Sequence, residues 1–575
     1  MTTLDLRADA IIDRLTAEGG MFPVGRETIR GIPYRTFTSI PQTLGDYFGL
    51  AAMHAGKEFL VYEDTRLSYE DGLVEARRLG HALHDGLQMR EGDRVAIAMR
   101  NYPEWFLSFM AITGAGGVAV PVNAWWSVEE FDYGLTDCGA RIVIADAERI
   151  EKLLPLKDRL GLTLVGVRLT DCPDGVLRFE DVIANAPASP EAFPVHAQGA
   201  DDDALILYTS GTTGNPKGAV STHRAVLSTL FSWVVGGLAR NEVLAADKKD
   251  AGEAVPEVAP QPISLVALPM FHVTGCHAVF LVSILLGRKL VLMYKWDVVR
   301  ALELIEAERV TGFVGVPTMS WELAQHPDRS RYDLSSLVEI GGGGAARPPE
   351  HVKQLNDAFP QAQAGIGYGL TETNAVGATN AGQNYSLKPG STGRPTPPLV
   401  EIKLVDPDGT EVPQGEVGEV LIRTPSNIRC YWNNPQATKT AFTDEGFFRT
   451  GDVGRFDEDG FLYIVDRIKD IVVRGGENIS CIEVEAAIAE LEGVLEVAAF
   501  GVPDERLGEE LAAVVYVKPG SALSQQRIRD HIAAHHAKFK VPRYLEFTDG
   551  QLMRGATGKI LKRGIKQDFI ERHGL

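Results

Sequence analysis

One string constrains this chain more than any other: Tyr208-Thr209-Ser210-Gly211-Thr212-Thr213-Gly214-Asn215-Pro216-Lys217-Gly218. An apolar run at 204–208 leads into it and residues 222–235 carry a helical pattern behind it, so it is expected to join a strand to a helix. Its three glycines, Gly211, Gly214 and Gly218, let the backbone approach a ligand closely and turn N–H groups inward. Ser210, Thr212 and Thr213 add hydroxyl donors, and Lys217 adds a mobile positive charge. The combination is a cradle for a polyphosphate. It is not a Walker P-loop, which needs glycine before its lysine and serine or threonine after it. Here Pro216 precedes Lys217 and Gly218 follows.

The surroundings of the string set the fold class. Apolar runs at 95–99, 118–122 and 142–145 alternate with helical patterns at 103–114 and 129–136, the mark of βαβ units and a parallel sheet. At 575 residues the chain should hold more than one domain. From 401 to 421 strands are punctuated by Asp408-Gly409 and Gln414-Gly415, which predicts a β-rich subdomain near 395–465. Past Asp466 the character changes again, with helices expected at 482–491 and 526–535 and strands at 497–502 and 512–517. The expectation is an α/β protein. A large N-terminal domain of parallel-sheet αβα layers spans 1–468, and a small mobile α+β domain spans 469–575. Residues 241–262, rich in Ala, Asp, Glu, Lys and Pro with little periodicity, are expected to form an exposed, mobile loop.

Composition removes several function classes. A formal net charge of −20 opposes nucleic acid as a partner. Five cysteines with no C-x-x-C pair indicate neither a disulfide framework nor a zinc ribbon, and a reducing cytoplasm is the expected compartment. Residues 1–14 lack the apolar core of a signal peptide. The most lipophilic run, 278–287, stops at Arg288 and Lys289, short of the ~20 apolar residues a membrane span needs. Peripheral membrane contact remains compatible with that. Trp125-Trp126 is expected in packing or in the subunit interface of a homodimer.

Further strings follow in order: Gly341-Gly342-Gly343-Gly344-Ala345-Ala346, Tyr368-Gly369-Leu370-Thr371-Glu372-Thr373, Thr450-Gly451-Asp452, Asp466-Arg467-Ile468-Lys469-Asp470, Gly475-Gly476-Glu477-Asn478, and Gly555-Ala556-Thr557-Gly558-Lys559-Ile560. Together with the first string they resemble the adenylate-forming superfamily, which includes acyl-CoA synthetases, coumarate–CoA ligases, firefly luciferase and peptide-synthetase adenylation domains. The likeness is greatest to fatty-acyl-CoA synthetases. It runs from Tyr208 to Lys562, and more loosely back to about Thr43.

The resemblance implies a ligase that uses ATP, Mg²⁺ and coenzyme A to turn a carboxylic acid into its acyl-CoA through an acyl-adenylate. A carboxylate attacking the α-phosphate builds negative charge on phosphate oxygens and on departing pyrophosphate, so cations and oriented donors are needed there. By resemblance Thr209, Ser210, Gly211, Thr212, Thr213, Gly214 and Lys217 cradle the phosphates. Thr371 contacts the α-phosphate, and Glu372 holds the metal, whose chemistry suits one or two carboxylates plus phosphate oxygens. Gly344, Ala345 and Ala346 lie along adenine, with Gly367, Tyr368 and Gly369 in the neighbouring nucleotide motif. Asp452 accepts from the ribose hydroxyls with Arg467 assisting. Lys469 is the pivot of a domain swing, Gly475 and Gly476 let a pantetheine arm pass, and Lys559 bridges the attacking carboxylate and the α-phosphate. The sequence departs from the family pattern at Ala346 and Cys481, where proline is usual. Cys481 is expected to be structural, since nothing nearby would activate a thiol.

The same resemblance lines the acyl pocket from residues 271–276, 316–318 and 343–367, with His272 as a gate. Cys276 stands where long-chain synthetases often carry a tryptophan gate. No charge occurs in the first two segments, which predicts an apolar acyl part. A medium- or long-chain fatty acid is the first expectation and an aryl or alicyclic acid the second. A carrier-protein-loading enzyme is the main rival; the sequence runs sixteen residues past Lys559 without a carrier domain.

Overall fold

The computed structural model describes residues 3–194, 198–209, 216–252, 260–555 and 558–575. Five sheets organise the chain. The first, of eight strands, runs in the order Cys430–Tyr431, Lys217–Thr222, Asp203–Thr209, Val118–Pro121, Arg94–Ala98, Ile142–Asp146, Thr163–Val167 and Val176–Arg178. Its centre is parallel, and strands such as Val118–Pro121 and Ile142–Asp146 are buried at every position. Local signals cut the intervening helices to length. Ser127 and Glu130 form a capping box on Val128–Cys138, and Gly139 ends that helix in the left-handed conformation. Asp146 caps Ala147–Leu160, and Gly161 ends it in the same way.

The second sheet has nine strands, with Gln363–Tyr368, Glu339–Gly343, Gly312–Gly315, Ile263–Val266, Lys289–Leu292 and Glu58–Tyr62 parallel at its centre. The largest hydrophobic cluster lies between the two sheets. It is built on the helices Pro103–Gly114 and His223–Asp250 and on the residues of 274–286. Phe106, Phe109 and Phe280 meet there edge to face and are fully buried; each such ring contributes about 1.5–3 kcal/mol. A four-stranded antiparallel sheet spans Glu401–Val405, Gly418–Arg423, Phe448–Phe456 and Leu462–Arg467. Beyond it, five strands from Val472 to Thr548 carry the helices Cys481–Ala489 and Gln525–His535.

Two expectations need correction. The string after Tyr208 does not join a strand directly to a helix. Residues Lys217–Thr222 form a strand antiparallel to Asp203–Thr209, with Thr209 opposite Lys217, so these two strands pair as a hairpin before the helix begins. Buried Ala219, Val220 and Ser221 favour this sheet position over solvent. Residues 241–250 are not a loop. They complete the 28-residue helix His223–Asp250. Ala, Leu, Glu and Lys are strong helix formers. The N-terminal helix Thr3–Thr16 packs on that extension, through Arg7–Asp247 and the Arg14–Glu242 pair at 2.6 Å. Among the described residues no helix is long and apolar enough to cross a membrane.

Candidate active site

The hairpin base holds its lysine at the edge of a cleft. The Tyr208 hydroxyl donates to Asp137 Oδ2 at 2.6 Å, and the Tyr133 hydroxyl donates to the Pro216 carbonyl at 3.1 Å. Gly218 admits no side chain, because a Cβ there would meet Ile206 Cγ2 at 2.8 Å and Trp432 Cβ at 3.2 Å. Lys217 Nζ lies 5.1 Å from the centre of the Tyr431 ring. Residues Ser210, Gly211, Thr212, Thr213 and Gly214 lie outside the described residues.

Tyr431 joins the lysine to the carboxylate expected from the sequence. Its hydroxyl donates to Glu372 Oε1 at 2.7 Å. Burial raises the pKa of Glu372, while Tyr431, Arg467 and Lys217 oppose the rise. Glu372 sits in the tight 3-10 turn Thr371–Thr373. Asn374 follows it at φ +51°, completely buried. The Asn374 Oδ1 accepts from Ser221 Oγ and from His277 Nε2, both at 2.9 Å, while its Nδ2 donates to the Ser426 carbonyl at 2.7 Å. One buried amide thereby ties the metal-motif turn to the strand carrying Lys217 and to the segment carrying His272. Gly369 is required for packing, since a Cβ there would lie 2.4 Å from the Ala375 carbonyl oxygen.

Asp452 stands in the strand Phe448–Phe456, opposite Arg467 across the antiparallel register. Arg467 Nε donates to its Oδ1 at 3.1 Å, and the Tyr368 hydroxyl donates to Oδ2 at 2.7 Å. Burial raises the pKa of Asp452, against the pull of Arg467 and Tyr368. Lys469 is exposed, and its pKa is lowered by burial of its ammonium group and by Arg467, with Asp452 and Glu372 acting in the other direction. The lip formed by Gly344, Ala345 and Ala346 is exposed, and the face of Gly367 where a Cβ would stand is open.

Lys559 reaches this place from the far end of the chain. Gly344 has φ +77°, and a Cβ on it would meet Lys559 Cε and Nζ at 2.9 Å and His272 Cε1 at 4.0 Å. The loop bearing Lys559 rests on the first turn of the helix Pro317–Gln325, where the Cβ position of Gly558 is 3.3 Å from Val316 Cγ2 and 3.7 Å from Met319 Cε. Burial, helped by Arg467, lowers the pKa of Lys559 to about 8. His272 is pushed down to about 3 by burial and then by Lys559. The Thr274 N–H donates to its Nδ1 at 3.3 Å, which leaves a neutral ring with the proton on Nε2.

Comparison with known proteins identifies the family. The family model described as AMP-binding enzyme matches residues 50–432, more than half of the chain, and the model for the AMP-binding enzyme C-terminal domain matches 483–559. The chain belongs to the AMP-binding enzyme family. A feruloyl-CoA synthase of Amycolatopsis sp is 35% identical over 508 residues, 88% of this chain and 94% of that enzyme. A long-chain-fatty-acid–CoA ligase of Bacillus subtilis (strain 168) is 32% identical over 556 residues, 91% of this chain and 94% of that one. The crystal structure of the anthranilate CoA ligase AuaEII in complex with anthranoyl-AMP superposes with a TM-score of 0.81 at 27% identity, covering 93% of this chain and 99% of that one. This AMP-binding enzyme is an ATP-dependent acid–CoA ligase of the adenylate-forming superfamily, with ATP and coenzyme A as substrates.

Other expected site residues of the AMP-binding enzyme fall where local structure accounts for them. Gly475 and Gly476, at φ +59° and +92°, form the two-residue turn between Val472–Arg474 and Glu477–Ile479. Cys481 is buried, with its thiol pKa pushed up by burial and its backbone N–H donating to Asp466 Oδ2. Cys276 is fully buried in the main core. Trp126 is buried against Tyr208, while Trp125 is 42% exposed and carries the Arg100 guanidinium 3.7 Å from its ring centre. Tyr431, Asn374, His277 and Ser221 were missed in the sequence. None sits in a glycine-rich string, and a single polar residue in an apolar stretch is the only local signal that His277 gives.

Proposed function

We propose that this AMP-binding enzyme activates an acid with an apolar body, a medium- or long-chain fatty acid before an aryl or alicyclic one. The observation that carries the reading is the placing of Lys559 at Gly344 beside neutral His272, with Glu372, Asp452, Arg467 and Lys217 gathered nearby. In the first half-reaction the acid's carboxylate attacks the α-phosphate of ATP, a new P–O bond forms and pyrophosphate departs. Lys559 brings a positive charge to the carboxylate and the α-phosphate, and Lys217 faces the departing phosphates. Asp452 accepts from the ribose hydroxyls, and Gly344–Ala346 flank the base. His272, neutral, closes the acyl side without adding charge.

Glu372 fits a magnesium ion. Among the described residues no cluster of three or more His, Cys, Asp or Glu side chains could form an all-protein cage. One oriented carboxylate beside a phosphate cradle is the donor set Mg²⁺ takes. When bound, the ion neutralises phosphate charge.

In the second half-reaction the thiolate of coenzyme A attacks the acyl carbon and AMP leaves. Lys559 fills the place where the thiol must arrive, so the domain over 469–575 swings about Lys469, and the turn at Gly475-Gly476 turns toward the pantetheine arm. A homodimer is the proposed assembly. The test is a coenzyme-A-dependent AMP-release screen over fatty, aryl and alicyclic acids. Release with fatty acids of medium or long chain is expected; release only with aryl or alicyclic acids would replace the first choice by the second.

A further inference from the structure

On the core-facing side of the second sheet, the strands Glu339–Gly343 and Gln363–Tyr368 form a glycine floor, flanked by Val314, 3.1 Å from the Cβ position of Gly341, and Ala381, 3.2 Å from that of Gly365. Side chains alternate between faces along a strand. Glu339, Gly341 and Gly343 therefore share a face, and the register pairs them with Gln363, Gly365 and Gly367. Gly343 looks at Thr274 Cγ2, 3.9 Å from its Cβ position, and the Cβ position of Gly367 has nothing within 4 Å. Thr274 stands across from Gly343, and Arg240 of the long helix reaches Gln363 at the other end of the same face. Neither Thr274 nor Arg240 is fully buried. A slot therefore runs down the sheet from Gly343 and Gly367, beside His272 and Lys559, toward Glu339 and Gln363. Four residues of strand make it about 13 Å long.

The far end of the slot is charged. Arg240 crosses from the helix to the sheet edge, where its Nη2 donates to Gln363 Oε1 and stands 2.9 Å from the Cβ position of Gly382. Among the described residues that neutral amide is its only hydrogen-bond partner. The nearest acid acting on it, Glu339, is exposed and makes no ion pair with it, and burial lowers the pKa of the guanidinium. A guanidinium has five N–H donors, and none of the Arg240 nitrogens is sealed off without a partner, so its remaining donors face accessible space. The segments 271–276 and 316–318, expected to line the pocket, carry no charge, and Arg240 lies outside all three expected segments.

We propose that Arg240 is a specificity-determining residue that recognises an oxygen acceptor (a carboxylate, oxo or hydroxyl group) at the far end of the acid, about 13 Å from the reacting carboxylate. This rests on the acid–CoA ligase reading with an apolar acyl body and adds a polar terminus to it. The slot's walls hold the apolar middle, and the guanidinium satisfies its free donors on the distal oxygen.

The experiment measures coenzyme-A-dependent AMP release over a length ladder of plain fatty acids, each beside its ω-hydroxy and α,ω-dicarboxylic counterparts. In the unaltered enzyme kcat/KM should favour the ω-oxygenated acid by roughly tenfold or more at one length near that of decanoic acid. Arg240→Met should collapse that ratio to near one and Arg240→Lys should keep part of it, with thermal midpoints checking that both variants fold. Equal use of plain and ω-oxygenated acids by the unaltered enzyme, or a ratio unchanged in Arg240→Met, would overturn the proposal. If the plain acids are activated, the underlying ligase reading stands even so. If no acid of any kind releases AMP, that reading falls and takes this one with it.

Discussion

Lys559 shows how a single residue's surroundings set its chemistry. Its ammonium group must be charged to bridge a carboxylate and a phosphate, and burial with Arg467 nearby lowers its pKa to about 8. The proton is held below that value and lost above it. In the free enzyme kcat/KM for adenylation should therefore fall as pH rises through about 8, measured as pyrophosphate release. Lys559→Ala should lower adenylation by on the order of a hundredfold or more while sparing thioester formation from supplied acyl-adenylate; equal loss of both half-reactions would contradict the assignment. Tyr431 makes a second, smaller test. Its hydroxyl holds one oxygen of Glu372, and a hydrogen bond to a charged group contributes about 1.5–3 kcal/mol. Tyr431→Phe should raise KM for magnesium–ATP roughly tenfold with less effect on the KM of the acid.

At the scale of elements, the buried Asn374 amide decides whether three segments act together. His277 donates to it from Nε2, its Nδ1 has no hydrogen-bond partner, and burial holds its pKa near 4 against an ordinary value of 6.5. The unfolded chain therefore binds a proton here that the folded chain refuses between those two values. Stability should be full above about pH 6.5 and decline as pH falls toward 4, and buried His223, also near 4, adds to the same slope. Urea titrations across that range should show the decline. His277→Gln, which keeps an N–H donor without the titration, should flatten it. His277→Leu leaves Asn374 short of a donor and should cost about 1–3 kcal/mol. It should also raise KM for magnesium–ATP, because the turn that aims Glu372 loosens.

The whole molecule is arranged so that one loop of its C-terminal part completes a site built by the rest. Gly558 packs on Val316 and Met319, and Gln551 Nε2 donates to Glu322 Oε1 at 3.4 Å. Exposed polar contacts of this kind contribute at most about 1 kcal/mol each, and the proposed domain swing would have to break them. Lys469→Pro is the test at this scale. It restricts the backbone at the proposed pivot. Adenylation should be retained and thioester formation lost, when each half-reaction is followed separately. Loss of adenylation alone would place the pivot elsewhere.

Residue order by itself determined the family and the alternating α/β core. Those features rest on short-range patterns such as glycine strings, apolar runs and caps, which few contexts satisfy. The strings that carry Glu372, Asp452 and Lys559 are of that kind, and their roles are proposed above. The hairpin at Lys217 was not legible, because strand pairing overrides the local pattern, while the helix through 241–250 follows its helix-forming residues despite weak apolar periodicity. Tyr431, the Asn374 hub and Arg240 belong to tertiary structure alone. Each acts through a partner tens to hundreds of residues away, and a polar side chain acquires its role only when folding removes water and chooses which groups it faces.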